Sequence, residues 1–104
     1  MEKPNRSMSS ILEEQANLVA DLTDINAELL RARQIASAAE IDVLRLEREI
    51  DIEGPTPQRT QELTFARSQA EIAHSALQDC ERRQADLARK IDAVNRQIAG
   101  GPAP

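Results

Sequence analysis

Aromatic residues are almost missing from this chain: one Phe, no Trp and no Tyr in 104 residues. Large aromatics supply much of the buried area of a compact globule. Without them a conventional layered core is excluded, and Leu, Ile, Val and Ala must build a thin one. The single cysteine, Cys80, excludes an internal disulfide and therefore a secreted disulfide scaffold. One histidine and one cysteine give no metal-ligand spacing. The three glycines form no phosphate-cradling loop, and no nucleophile motif is present. Residues 1–12 lack the apolar core of a signal peptide, and no window approaches a membrane span. A net charge of −5 argues against a general affinity for nucleic acid or anionic membrane. The expectation is a cytoplasmic, non-enzymatic protein without cofactor, metal or small-molecule substrate.

What the chain does have is one long pattern, interrupted once. Gly54-Pro55-Thr56-Pro57 is the only strong break between residues 10 and 99. Glycine suits the position just past a helix end, and Pro55 blocks continuation. Thr56 can cap a new helix whose first residue, Pro57, needs no N–H partner. Before the break, apolar residues recur at 3-4 spacing: Ile11, Leu18, Leu22, Ile25, Leu29, Ala32, Ala36, Ala39, Val43, Leu46 and Ile50, with Gln15 the one polar member. After it the pattern resumes at Leu63, Ala66, Ala70, Ala73, Leu77, Cys80, Leu87, Ile91, Val94 and Ile98, again with one polar member, Gln84. Such spacing sustained over several heptads predicts two helices joined along a narrow seam.

The predicted fold is all-α, an antiparallel two-helix coiled-coil hairpin that dimerises into a four-helix bundle or docks on a partner. Its parts are a flexible tail over 1–9, helix 10–53 opened by a Ser10/Glu13 capping box, the turn 54–57, helix 57–99, and a tail over 100–104. Each helix is about 65 Å long at 1.5 Å per residue. Folding the chain at the turn places Ile11 opposite Ile98, Leu29 opposite Cys80 and Ala36 opposite Ala73. The flanking pairs expected from this register are Asp21–Lys90, Glu28–Arg83 and Glu40–Arg67. Gln15 and Gln84 would each face an apolar residue, Val94 and Ile25 respectively. His74 is expected as a surface residue beside Arg33. Cys80 is expected as a small core residue. Glu71 and His74 have the spacing of a bundle metal site, but Glu71 points outward, so no metal is assigned.

A hairpin buries one stripe per helix, so apolar residues off that stripe need another explanation. They include Leu12, Ala16, Val19 and Leu30 on helix one, and Ile35, Ile41, Leu44, Ile52, Phe65 and Ile72 nearer the turn. Leu12, Ala16, Val19, Leu30, Ile41, Leu44, Phe65 and Ile72 are the candidate contacts with a protein partner or a second copy. The alternative is that they are ordinary surface residues.

Charge is divided between the helices. Residues 11–53 carry eleven acids and four bases, and residues 57–99 six acids and seven bases. Arg82, Arg89 and Arg96 form a seven-spaced row, the candidate anion contacts. Without interleaved aromatics, and beside Glu81, Asp86 and Asp92, they read first as a solvated face. Three functions remain open: a protein–protein interaction module (adaptor, secretion-type chaperone or stalk, or inhibitor of a larger machine), a nucleic-acid accessory protein using that basic stripe, and a structural oligomerisation rod. The length and two-helix plan are similar to those of WxG-type secreted hairpins, and Pro-turned hairpins also occur in type III export systems. The Trp of the former is absent and no motif of the latter is present, so neither membership is assigned.

Overall fold

The computed structural model describes residues 7–100; residues 1–6 and 101–104, on which most of the two expected tails fall, lie outside the described residues. Two helices account for nearly all of the rest. α1 spans Met8–Glu53 and α2 spans Pro57–Gly100, in an all-α helical hairpin.

The turn forms as its residues dictate. Gly54 adopts φ +88°, a left-handed conformation that costs a residue with a Cβ about 1–2 kcal/mol. Its N–H still donates to the Ile50 carbonyl at 2.9 Å, closing α1. Thr56 caps α2: its Oγ1 accepts from the Arg59 N–H at 3.1 Å. Arg59 adds a contact that turn chemistry alone does not announce. Its Nη1 donates to the Gly54 carbonyl at 3.1 Å, and its guanidinium pairs with Glu53. One side chain of α2 thus satisfies the carbonyl just past the end of α1 and the carboxylate beside it.

α1 begins earlier than the Ser10/Glu13 signature indicates. Ser7 is the cap: its Oγ accepts from the Ser10 N–H at 3.0 Å, and its carbonyl takes the first helical bond from Ile11 N–H at 3.1 Å. Ser10 is therefore the third helical residue and serves as donor. Any of Ser7, Ser9 and Ser10 has the side chain for the role. Starting at Ser7 also brings Met8 onto the seam's spacing, one heptad before Gln15.

Every seam position named from the 3-4 spacing is buried or half-buried. The buried set is Ile11, Ile25, Leu29, Ala36, Leu46, Leu63, Ala66, Ala73, Cys80 and Val94; even Ile25, the most enclosed of them, keeps 2 % of its surface exposed. Three alanines and a cysteine in that set mean little area per contact, so this core is thin by composition as well as by geometry. Contacts fall into two units: residues 28–81, which include the turn, and the described parts of 1–27 and 82–104. In the turn unit Leu46, Leu63 and Ala66 form a cluster flanked by Val43 and Ile50.

Two substitutions test the ends of the helices. Gly54→Ala meets no atom within 4 Å, so its cost is the backbone alone, expected at about 1–2 kcal/mol in chemical denaturation. Ser7→Ala should cost about 1 kcal/mol in the first turn, read as faster amide exchange there, whereas Ser10→Ala should leave exchange unchanged.

Candidate functional site

The unit formed by residues 7–27 and 82–100 has two unlike sides. Written in heptads with Gln15 and Gln84 at position a, one side carries the g and c positions. Glu14, Asp21 and Asp24 of α1 lie there with Arg83, Asp86 and Lys90 of α2. The other side, positions e and b, carries Leu12, Ala16, Val19 and Thr23 of α1 and Ala85, Ala88 and Ala99 of α2, all exposed. Asp92 is its one charged residue.

The polar residues at that edge bond inward. Gln15 Nε2 donates to Asn95 Oδ1 at 2.7 Å, and Gln84 Nε2 donates to Asn26 Oδ1 at 2.7 Å. Each seam glutamine passes the apolar residue expected opposite it and reaches the asparagine one position beyond. The two bonds are reciprocal, one from each helix, and they satisfy half-buried amides that would otherwise cost free energy in an apolar seam. Thr23 Oγ1 donates to the Val19 carbonyl at 3.0 Å, so its hydroxyl is satisfied within α1.

In the turn unit the expected residues do not gather into one patch. Leu30 and Leu44 share the b row, 58 % and 64 % exposed. Ile41 lies at an f position on the back of α1. Phe65 and Ile72 occupy successive c positions of α2, 66 % and 61 % exposed, on the opposite side of the hairpin from Leu44. A shallow depression beside Phe65 is lined by Pro55, Pro57, Gln61 and Thr64. Another is lined by Ala39, Asp42, Leu46, Glu62 and Phe65. Met8, 41 % exposed, was missed because its place in the spacing shows only once the helix is known to start at Ser7.

One expected flanking pair, Glu40–Arg67, is replaced by pairs one heptad away. Glu40 Oε1 contacts His74 Nε2 at 2.7 Å instead of Arg67, and Arg67 contacts Glu47 at 3.5 Å. His74 accordingly sits opposite a carboxylate. Glu40 has two candidate bases seven residues apart, Arg67 and His74, and the linear pattern does not choose between them. Lys90 binds Asp86 on its own helix at 3.1 Å in place of Asp21. Such exposed pairs are screened by water and contribute little to stability.

The basic row runs through acids of its own helix. Arg82, Arg89 and Arg96 fall on the f positions of α2, farthest from the seam, and Arg89 lies 3.4 Å from Asp86. The hydrogen bond and charge of Lys90, helped by Arg89, hold the Asp86 carboxyl below its ordinary range. This basic surface is therefore partly neutralised before any phosphate arrives. Among the described residues no cluster of three or more His, Cys, Asp or Glu could hold a metal ion, and no helix is long and apolar enough to cross a membrane.

Comparison with protein-family models, curated proteins and solved structures finds no match.

The lowered Asp86 carboxyl gives a signed pH effect. Its contribution is complete above the ordinary carboxylate range and is lost as pH falls through and below it. Asp86→Asn should therefore lower the urea midpoint slightly at neutral pH and converge with the parent chain in strong acid.

Proposed function

We propose that this chain is a non-enzymatic helical-hairpin module that works by presenting off-seam apolar faces to another protein surface, as an adaptor, a chaperone or stalk, or an inhibitor of a larger assembly. The supporting observation is where the large apolar side chains lie. Leu12, Val19, Leu30, Leu44, Phe65 and Ile72 each expose between 45 % and 66 % of their surface, while alanines and a cysteine fill four of the buried places. Single exposed apolar residues are ordinary on any protein. A row at i, i+4, i+7 such as Leu12, Ala16 and Val19 is not, because on a helix it forms a continuous stripe. Each Leu, Val, Ile or Phe covered by a partner, being already partly buried, contributes about half of the roughly 1.5–3 kcal/mol of full burial. Such gains matter to a two-helix chain whose own seam is thin, since small scaffolds of this kind need additional contacts for stability.

Two double variants separate the faces. Leu12→Gln with Val19→Gln alters one, and Phe65→Gln with Ile72→Gln the other; glutamine keeps helix propensity. The tagged parent chain should retain a protein from nuclease-treated host extract, or associate with itself. At least one double variant should lose that association with its far-ultraviolet circular dichroism unchanged. Identical behaviour of all three proteins, in extract and alone, would refute the reading.

A further inference from the structure

We propose that a second copy of this chain covers the side of the turn unit that carries Ile35, Phe65 and Ile72, with a two-fold axis parallel to the helices, so that α1 of each copy lies against α2 of the other. This rests on the interaction reading above and names its partner.

The side is made of the g and c positions of residues 28–81. Four large apolar residues lie on it, Ile35, Ile52, Phe65 and Ile72, each exposing between 55 % and 71 % of its surface. The two c rows run along it at matching levels. On α1 the row reads Arg31, Ala38, Arg45, Ile52; on α2, taken in the opposite direction, it reads Asp79, Ile72, Phe65, Gln58. Leu46 packing with Leu63 and Ala66, and the depression that Arg45 and Phe65 both line, set this alignment.

Charge and size on this face select the occupant and the axis. An axis along the helices sets each α1 row on the partner's α2 row at the same level. Arg31 then meets the partner's Asp79, Ala38 the partner's Ile72, and Arg45 the partner's Phe65. These are opposite charges, a small residue against a large one, and a cation over an aromatic face. Arg45 brings its own counter-ions, Glu49 at 3.0 Å and Asp42 at 3.9 Å, so covering it strands no charge. An axis across the helices puts α1 on α1. Centred at Ala38, it sets Arg31 against the partner's Arg45. Centred half a heptad nearer the turn, it sets Asp42 against its own copy. In the favoured arrangement one unfavourable meeting remains, Glu49 with the partner's Glu62. Arg45 already holds the first, and Gln58 donates to the second at 3.2 Å.

Sedimentation equilibrium of the full chain tests the association, and disulfide trapping tests the arrangement. The parent chain should show a concentration-dependent dimer. Phe65→Gln with Ile72→Gln should raise its dissociation constant about 100-fold with helix content unchanged, whereas Leu12→Gln with Val19→Gln should not move it. Asp79→Arg should weaken the dimer about tenfold, and adding Arg31→Asp to that chain should restore the parent value. In a Cys80→Ala background, Ala38→Cys and Ile72→Cys chains should cross-link when mixed, while the Ala38→Cys chain alone should not. A parent chain monomeric at every concentration, a dimer indifferent to Phe65 and Ile72, or Ala38→Cys cross-linked to itself in preference to Ile72→Cys, would overturn the proposal. A monomer that still captures a different protein through Phe65 and Ile72 overturns only the second copy. A monomer that captures none through any face overturns the interaction reading as well.

Discussion

Everything in this hairpin depends on one narrow apolar stripe of each helix packing on the other. The stripe repeats every 3-4 residues because that spacing keeps side chains on one face of an α-helix. It is long but shallow. Among the described residues no side chain is fully enclosed, and alanine occupies several buried positions, so stability comes from many small contacts spread along the helices, with little contributed by any single one. A deep core tolerates one local defect through its many neighbours. A seam of this kind has few neighbours at each level, and register errors are correspondingly cheap.

The polar contacts supply the register that alanine does not. Gln15 with Asn95, and Gln84 with Asn26, bond across the helices at two separate levels. Sliding one helix along the other breaks both and leaves half-buried amides unsatisfied. At the turn, Arg59 holds the Gly54 carbonyl and Glu53 together, so the end of α1 and the first turn of α2 are tied by more than the chain itself. The apolar stripe brings the helices together; these few polar groups decide how they align.

What is left over carries the functional reading. Once the seam is subtracted, large apolar residues remain on both sides of the hairpin. In the unit of residues 7–27 and 82–100 one side is charged and the other nearly devoid of charge. Such an asymmetry stabilises nothing in an isolated hairpin, since both sides face water. It gains value only when the apolar side is covered. The basic row of α2 is a weaker candidate for function, because Asp86 already engages Arg89 and Lys90.

The sequence alone determined the helices, the break at Gly54 to Pro57, and the seam down to individual residues. These are local or periodic properties: glycine tolerates positive φ, proline forbids continuation, and 3-4 spacing defines a face. The tertiary structure decided what depends on distance across the seam. It set Ser7 as the cap in preference to Ser10, Asn95 and Asn26 as the partners of the two glutamines, and His74 in place of Arg67 opposite Glu40. The physical reason is the same in each case. Several residues had the right chemistry within one heptad of each other, and only the packed geometry brings one of them within bonding distance.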